Sequence, residues 1–167
     1  EYKEHGCRFK VDLVNTYFSP RLSTERLRVA NLVSDNEVVT NMFAGVGTFS
    51  IIMARMHSRC KVYSIDINPA AIELSHHNSK LNGVESRVVS ILGDAREIIS
   101  KEIRSQSDRV LMPLPEKAHE YVDCAVEALR DRGGFIHYFA HVKALGKKYA
   151  LEQSLLDVKS AFSNYDT

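Results

Sequence analysis

Apolar and polar side chains alternate along residues 8–14, Arg-Phe-Lys-Val-Asp-Leu-Val, which is the period of a strand with one buried face. Tyr17-Phe18-Ser19-Pro20-Arg21 interrupts that period and reads as a loop, because Pro20 restricts Ser19. A helical pattern follows over residues 23–30 with Ser23 as its cap, and residues 37–42 form the first strongly buried strand. Phe43-Ala44-Gly45-Val46-Gly47-Thr48 is then a turn, and 49–56 an apolar helix.

The same alternation recurs. Strand 61–65 leads through Asp66-Ile67-Asn68 into helix 69–81, strand 88–92 runs into Gly93-Asp94-Ala95, and strand 109–112 ends at Pro113-Leu114-Pro115. Helix 118–129 and the Gly133-Gly134 turn precede a fifth strand, 135–140. Helix 69–81 is well punctuated: Asn68 can cap it, Pro69 suits the first helical position, and Gly83 lies just past its end. Strands separated by helices imply a parallel sheet with right-handed crossovers, so the expected fold class is α/β, mostly parallel and doubly wound. The chain divides into a strand, loop and helix over 1–36, a core over 37–142, and a polar helical tail over 143–167.

Composition narrows the classes. With 167 residues, 44% hydrophobic and 26% charged, the chain suits one compact domain and is too apolar for a disordered one. The longest apolar runs fall short of the roughly 20 residues that cross a bilayer. The charged opening (Glu1, Lys3, Glu4) differs from a secretory leader, so a cytoplasmic protein is expected. The three cysteines and seven histidines have no metal-ligand spacing, so no metal is expected; His137 reads as structural. A formal net charge of +1 hides local runs, Arg21, Arg26 and Arg28, and Lys143, Lys147 and Lys148. Charge by itself makes these solvated faces as readily as a polyanion site.

In open parallel sheets ligands sit beyond the carboxyl ends of the strands, so the residues just after each strand are the functional candidates. Gly45-Val46-Gly47 lets backbone approach a ligand and presents the free N–H groups of a helix start. Asp66 follows Gly47 by 19 residues, where an acid can bind both hydroxyls of a ribose. Together they indicate an adenosine-containing cofactor. A dinucleotide fingerprint wants a third glycine where Ser50 stands, and Asp94 is placed to accept a hydrogen bond from an adenine amino group. These details favour S-adenosylmethionine over a nicotinamide dinucleotide. Turn capping is the competing reading for Asp66 and Asp94.

At this point the ordered motifs His5-Gly6, Tyr17-Phe18-Ser19-Pro20-Arg21-Leu22 with Glu25-Arg26, Met42-Phe43-Ala44-Gly45-Val46-Gly47-Thr48-Phe49-Ser50, Asp66-Ile67-Asn68-Pro69-Ala70, Asn78 with Leu81-Asn82, Gly93-Asp94-Ala95-Arg96, Asp108 to Met112 and Ile136-His137-Tyr138 carry a resemblance. The chain resembles the archaeal and eukaryotic tRNA (guanine-37 N1)-methyltransferase family and its wybutosine-pathway relatives, over roughly residues 5–140. The resemblance implies a Rossmann-like class I methyltransferase fold and transfer of a methyl group from S-adenosylmethionine to guanine N1 beside the anticodon of tRNA. It implies that Phe43, Gly45, Val46, Gly47, Asp66, Ile67, Asn68, Gly93, Asp94 and Ala95 surround the cofactor. Glu25 is then the base that takes the N1 proton, and Tyr17 and Pro113 line the same site. Without the resemblance Glu25 is an ordinary helix-surface residue. Arg21, Arg26, Lys147 and Lys148 are the candidate phosphate contacts, tRNA the partner, and a monomer the expected state.

The chain departs from the family at two positions. Asn41 stands where an Asp is usual, and Pro113-Leu114-Pro115 replaces an Asn-Leu-Pro motif. Closing strands normally follow residue 140, and the sequence shows none, so a fold lacking the last strands is expected. The alternatives are an aminocarboxypropyl transferase of the wybutosine pathway and a non-catalytic cofactor- or tRNA-binding module.

Overall fold

The computed structural model describes residues 1–143 and 146–165. Five strands, β3 (Val38–Asn41), β4 (Lys61–Asp66), β5 (Val88–Leu92), β6 (Arg109–Met112) and β7 (Phe135–Tyr138), form one sheet in the order β5-β4-β3-β6-β7. Every neighbouring pair is parallel. The chain moves outward from β3 to β5, then crosses back to place β6 on the other side of β3. That reversal puts a crevice at the carboxyl ends of β3 and β6.

Helices cover both faces. α1 (Ser23–Leu32), α2 (Thr48–Met56) and α3 (Pro69–Leu81) lie on one, where Val39, Val62, Val88 and Leu111 of the sheet meet Val29, Phe49, Ile51 and Met53. The other face packs Ile65, Val110 and Met112 against α4 (Ala95–Ile98), the π-helical turn Ile99–Ile103 and α5 (Val122–Ala128). Phe162, just past α6 (Lys147–Ala161), joins this second cluster. Two-sided burial is fullest at the central strands β3 and β6, whereas the edge strands β5 and β7 stay partly exposed.

The expected parallel, doubly wound α/β sheet is present, with corrections in detail. The strand expected over residues 8–14 is only β2 (Cys7–Phe9), paired antiparallel with β1 (Tyr2–Glu4), which the pattern did not reveal. Asp12 ends it: its carboxylate accepts from the Val14 and Asn15 amides at 2.9 and 3.2 Å, curling the chain into a turn. Leu13 and Val14 are therefore exposed, although alternation alone would bury one of them. The segment from Ala95 to Ile103 is helical, and the helix expected from residue 118 begins as a 3-10 turn, Ala118–Tyr121. Among the described residues no helix is long and apolar enough to cross a membrane, and no cluster of side chains suits a metal ion.

Candidate functional site

Three strand ends are tied together through one residue. Asp66 closes β4; its Oδ2 accepts from the Gly45 amide at 2.7 Å and its Oδ1 from the Asn68 amide at 2.9 Å. The Asp66 carbonyl accepts from the Gly93 amide at 3.0 Å. Asp66 thus caps its own turn, as the competing reading held. A carboxylate has about four acceptor sites, so one site on each oxygen stays open for ribose hydroxyls.

The glycines beside it are conformationally required. Gly45 and Gly47 have φ of +54° and +86°. A Cβ on Gly47 would sit 2.7 Å from Ser75 Oγ of α3, closer than side chains tolerate. Gly45 runs under the Tyr17 backbone, 3.6 Å from where its Cβ would be to the Tyr17 carbonyl. The loop is therefore packed from both sides and its N–H groups start α2.

Asn68 caps α3 by accepting from the Ala70 amide at 3.0 Å, and its Nδ2 donates to the Asn15 carbonyl. Ile67 stands out into solvent, an apolar wall beside Asp66. Asp94 caps α4 through the Arg96 amide at 2.8 Å and accepts from the Tyr121 hydroxyl at 3.3 Å. Phe43 meets the Tyr121 ring edge-on at 5.0 Å, and Ala95 is buried beneath. Tyr121 was not singled out from sequence; an aromatic shortly after the Pro113-Leu114-Pro115 turn was the available signal. Burial first, then the Asp94 carboxylate, push its phenol up, so the hydroxyl remains a donor.

Asn41 is wholly buried at the end of β3; its Nδ2 donates to Ser50 Oγ at 3.2 Å and the carboxamide oxygen has no partner among the described residues. A neutral amide suits that depth better than a carboxylate, which would cost several kcal/mol uncompensated. The open acceptor sites of Asp66, beside a loop that its carboxylate holds in place, fit a ligand bearing a ribose.

Tyr17, Phe18, Ser19 and Pro113 line a narrow cleft over Gly45 and Val46. Glu25 lies outside it, in a separate recess with Arg28, His137, Tyr138 and Phe139. Phe49 of the first and Phe139 of the second meet edge-on at 5.8 Å and form the partition. Glu25 holds Arg28 through two hydrogen bonds of 2.7 and 2.8 Å. Geometry therefore brings Tyr17 and Pro113 together at the glycine loop and keeps Glu25 on the far side of two aromatic rings.

Arg26 is not available as a phosphate contact. It is 2% exposed, pairs with Glu4 at 2.5 and 2.8 Å, and donates to the Ser19 carbonyl. Residue 26 shares its face of α1 with the buried Val29 and Ala30, three and four positions on, and so points into the core; the charge run concealed that. Arg21 and Lys148 are exposed, while the Lys147 side chain lies outside the described residues. His137 is the structural residue expected: Arg109 donates to its Nε2 at 2.8 Å. Burial, then the Arg109 charge, lower its pKa to about 4.

Comparison with known proteins accords with this geometry. A family model described as the TRM5/TYW2 methyltransferase domain matches residues 1–161. The chain is 48% identical over 138 residues to a tRNA (guanine(37)-N(1))-methyltransferase Trm5b of Pyrococcus abyssi, covering 83% of this chain and 39% of that protein. It is 40% identical over 137 residues to a tRNA(Phe) (4-demethylwyosine(37)-C(7)) aminocarboxypropyltransferase of Methanocaldococcus jannaschii, covering 82% and 53%. The crystal structure of M. jannaschii TYW2 in complex with AdoMet superposes with a TM-score of 0.84 at 36% identity, covering 98% of this chain and 71% of that one. The chain thus spans about half, or less, of the length of these two curated relatives. On matched length, identity and shared architecture, this chain belongs to the TRM5/TYW2 methyltransferase family.

Proposed function

We propose that this chain is the catalytic domain of a cytoplasmic tRNA (guanine-37 N1)-methyltransferase that uses S-adenosylmethionine and no metal. The observation that carries the reading is the Asp66 junction, where one carboxylate pins the Gly45 loop and keeps acceptor sites open while the Asp66 carbonyl holds the Gly93-Asp94 turn. When bound, S-adenosylmethionine supplies an activated methyl group. The protein's task is then positioning: Asp66 and Asp94 hold the ribose and adenine ends, and Gly45-Val46-Gly47 lets the backbone come close. Tyr17 and Pro113 wall the place where the target base meets the methyl carbon. Pro113 offers no amide N–H to that base, so the neighbouring carbonyls are the polar groups left to it.

Guanine N1 must lose a proton as it is methylated, and Glu25 is assigned as its acceptor. Arg28 occupies both Glu25 oxygens, so the role requires that pair to open and the Phe49–Phe139 partition to shift. A tRNA phosphate is a suitable competitor for the Arg28 guanidinium, with Arg21 and Lys148 as further phosphate contacts. Incubation with methyl-labelled S-adenosylmethionine and unmodified tRNA, followed by nucleoside analysis, tests the reading. N1-methylguanosine that disappears in Glu25→Gln is the expected result; cofactor binding without label transfer would reject catalysis. The 40% identity to an aminocarboxypropyltransferase supports a second reading, transfer of the larger group to a modified guanosine. The mass of the modified nucleoside distinguishes the two.

A further inference from the structure

Three asparagines of one helix grip a segment of backbone that is remote in sequence. Asn82 accepts from the Arg8 amide at 2.9 Å and donates to the Arg8 carbonyl at 2.7 Å. One turn earlier Asn78 does the same for Lys10, at 2.7 and 3.0 Å. At the start of α3, Asn68 donates to the Asn15 carbonyl at 2.8 Å. Side-chain amides thus stand in for a neighbouring strand along the outer edge of β2 at Arg8 and at Lys10 just past it, and they satisfy backbone groups that would otherwise lack partners. The spacing of 78 and 82 places both on one helix face, and alternate residues 8 and 10 present the matching backbone groups.

Asn78 makes one contact that the other two lack. Its Nδ2 also donates to the Val46 carbonyl at 3.0 Å, the middle residue of the Gly45-Val46-Gly47 loop. It is fully buried and uses both amide hydrogens and its oxygen. Three residues earlier on the same face, Ser75 abuts Gly47 at the distance that forbids a Cβ there. Further along the strapped segment, the Tyr17 carbonyl passes over Gly45. The α3 face therefore touches the loop from below at two residues, while the segment it holds crosses the loop from above.

We propose that Asn78 is a positioning residue that sets the glycine loop and the Tyr17 segment in register with each other. It acts through the Val46 and Lys10 backbone and touches neither substrate nor reacting atoms. The loop is the floor of the cofactor site and Tyr17 borders the place of the target base, so one carboxamide couples the two halves of the site. This rests on the functional reading above only for its consequence on cofactor affinity; the mechanical coupling stands on the hydrogen bonds.

The test compares Asn78→Ala with Val84→Ala, a fully buried apolar position that serves as a control for general destabilisation. Amide hydrogen exchange on the whole chain without ligand is measured first. Asn78→Ala is expected to speed exchange in both segments, residues 8–18 and 44–48, at least tenfold more than Val84→Ala does. Equilibrium binding of S-adenosylmethionine follows, with at least a tenfold weaker Kd expected for Asn78→Ala and less than threefold for Val84→Ala. Asn78→Asp keeps the acceptor for the Lys10 amide but sets an acceptor against two carbonyls; it is expected to lose affinity as Asn78→Ala does. Exchange that rises equally in both variants, or in only one of the two segments, would overturn the coupling. A wild-type chain that fails to bind S-adenosylmethionine, with the exchange pattern as expected, would overturn the functional reading and leave the coupling in place.

Discussion

Arg26→Ala is the substitution whose effect separates two uses of one charge. If Arg26 is the buried partner of Glu4, removing it strands a carboxylate that is 9% exposed. Breaking a buried ion pair from one side costs about 3–5 kcal/mol, because the remaining charge keeps its desolvation penalty. The Phe18 ring, 5.6 Å from the guanidinium, and the Ser19 carbonyl lose their partner as well. For a domain of this size about 1 kcal/mol shifts Tm by roughly 2–4 °C, so a fall on the order of 10 °C is expected by thermal denaturation. Glu4→Gln should cost less, since a neutral amide is cheaper to bury. Joint replacement, Glu4→Leu with Arg26→Met, should recover much of the loss, giving a coupling free energy well above that of an exposed pair. A Tm for Arg26→Ala within about 2 °C of wild type, together with weaker tRNA binding and a salt slope reduced by about one, would refute this and restore Arg26 as a phosphate contact.

Acid should weaken the same contact: burial alone raises the Glu4 carboxyl, but the Arg26 hydrogen bond and charge, with Ser23 and Tyr2, outweigh it and hold it low. Its stabilisation is therefore present above the unfolded value of 4.5 and lost as pH falls through the folded one, which urea titrations below pH 4.5 would register. His137 adds an earlier loss: the unfolded histidine takes its proton near 6.5 and the folded one near 4, so stability should decline as pH drops through that window. His137→Gln should flatten that part of the pH profile, and an unchanged profile would count against the assignment. Gly47→Ala combines left-handed strain of about 1–2 kcal/mol with the Ser75 clash, so it should lower both Tm and cofactor affinity. Asp66→Asn keeps its size but replaces one acceptor with a donor facing the Gly45 or Asn68 amide; isothermal titration should show at least a tenfold weaker S-adenosylmethionine Kd.

Local pattern was enough for the five parallel strands, for the crossover helices other than the Ala95–Ile103 segment, and for the loops that follow the strands. Long apolar runs, Asn68-Pro69 at a helix start and glycines at turns are encoded by neighbours in sequence, and the carboxyl-end rule then located Gly45, Asp66 and Asp94. Local pattern failed where a distant residue decides. The alternation over residues 8–14 promised a strand, yet Asp12 turns the chain, and asparagines 68 to 74 residues away hold what a neighbouring strand would have held. Arg26 looked like one of a run of exposed cations until the β1–β2 hairpin brought Glu4 to it, 22 residues back in the chain. The motif around Glu25 and Tyr17 suggested one site, whereas packing of Phe49 on Phe139 sets them in two recesses. Sequence by itself thus determined most of the elements that form and which turns lie at the carboxyl ends of the strands, because those depend on short-range periodicity and backbone preference. Only tertiary structure decided which charges are buried, which amides serve as struts and how the recesses are divided, because each depends on contacts between segments far apart in the chain.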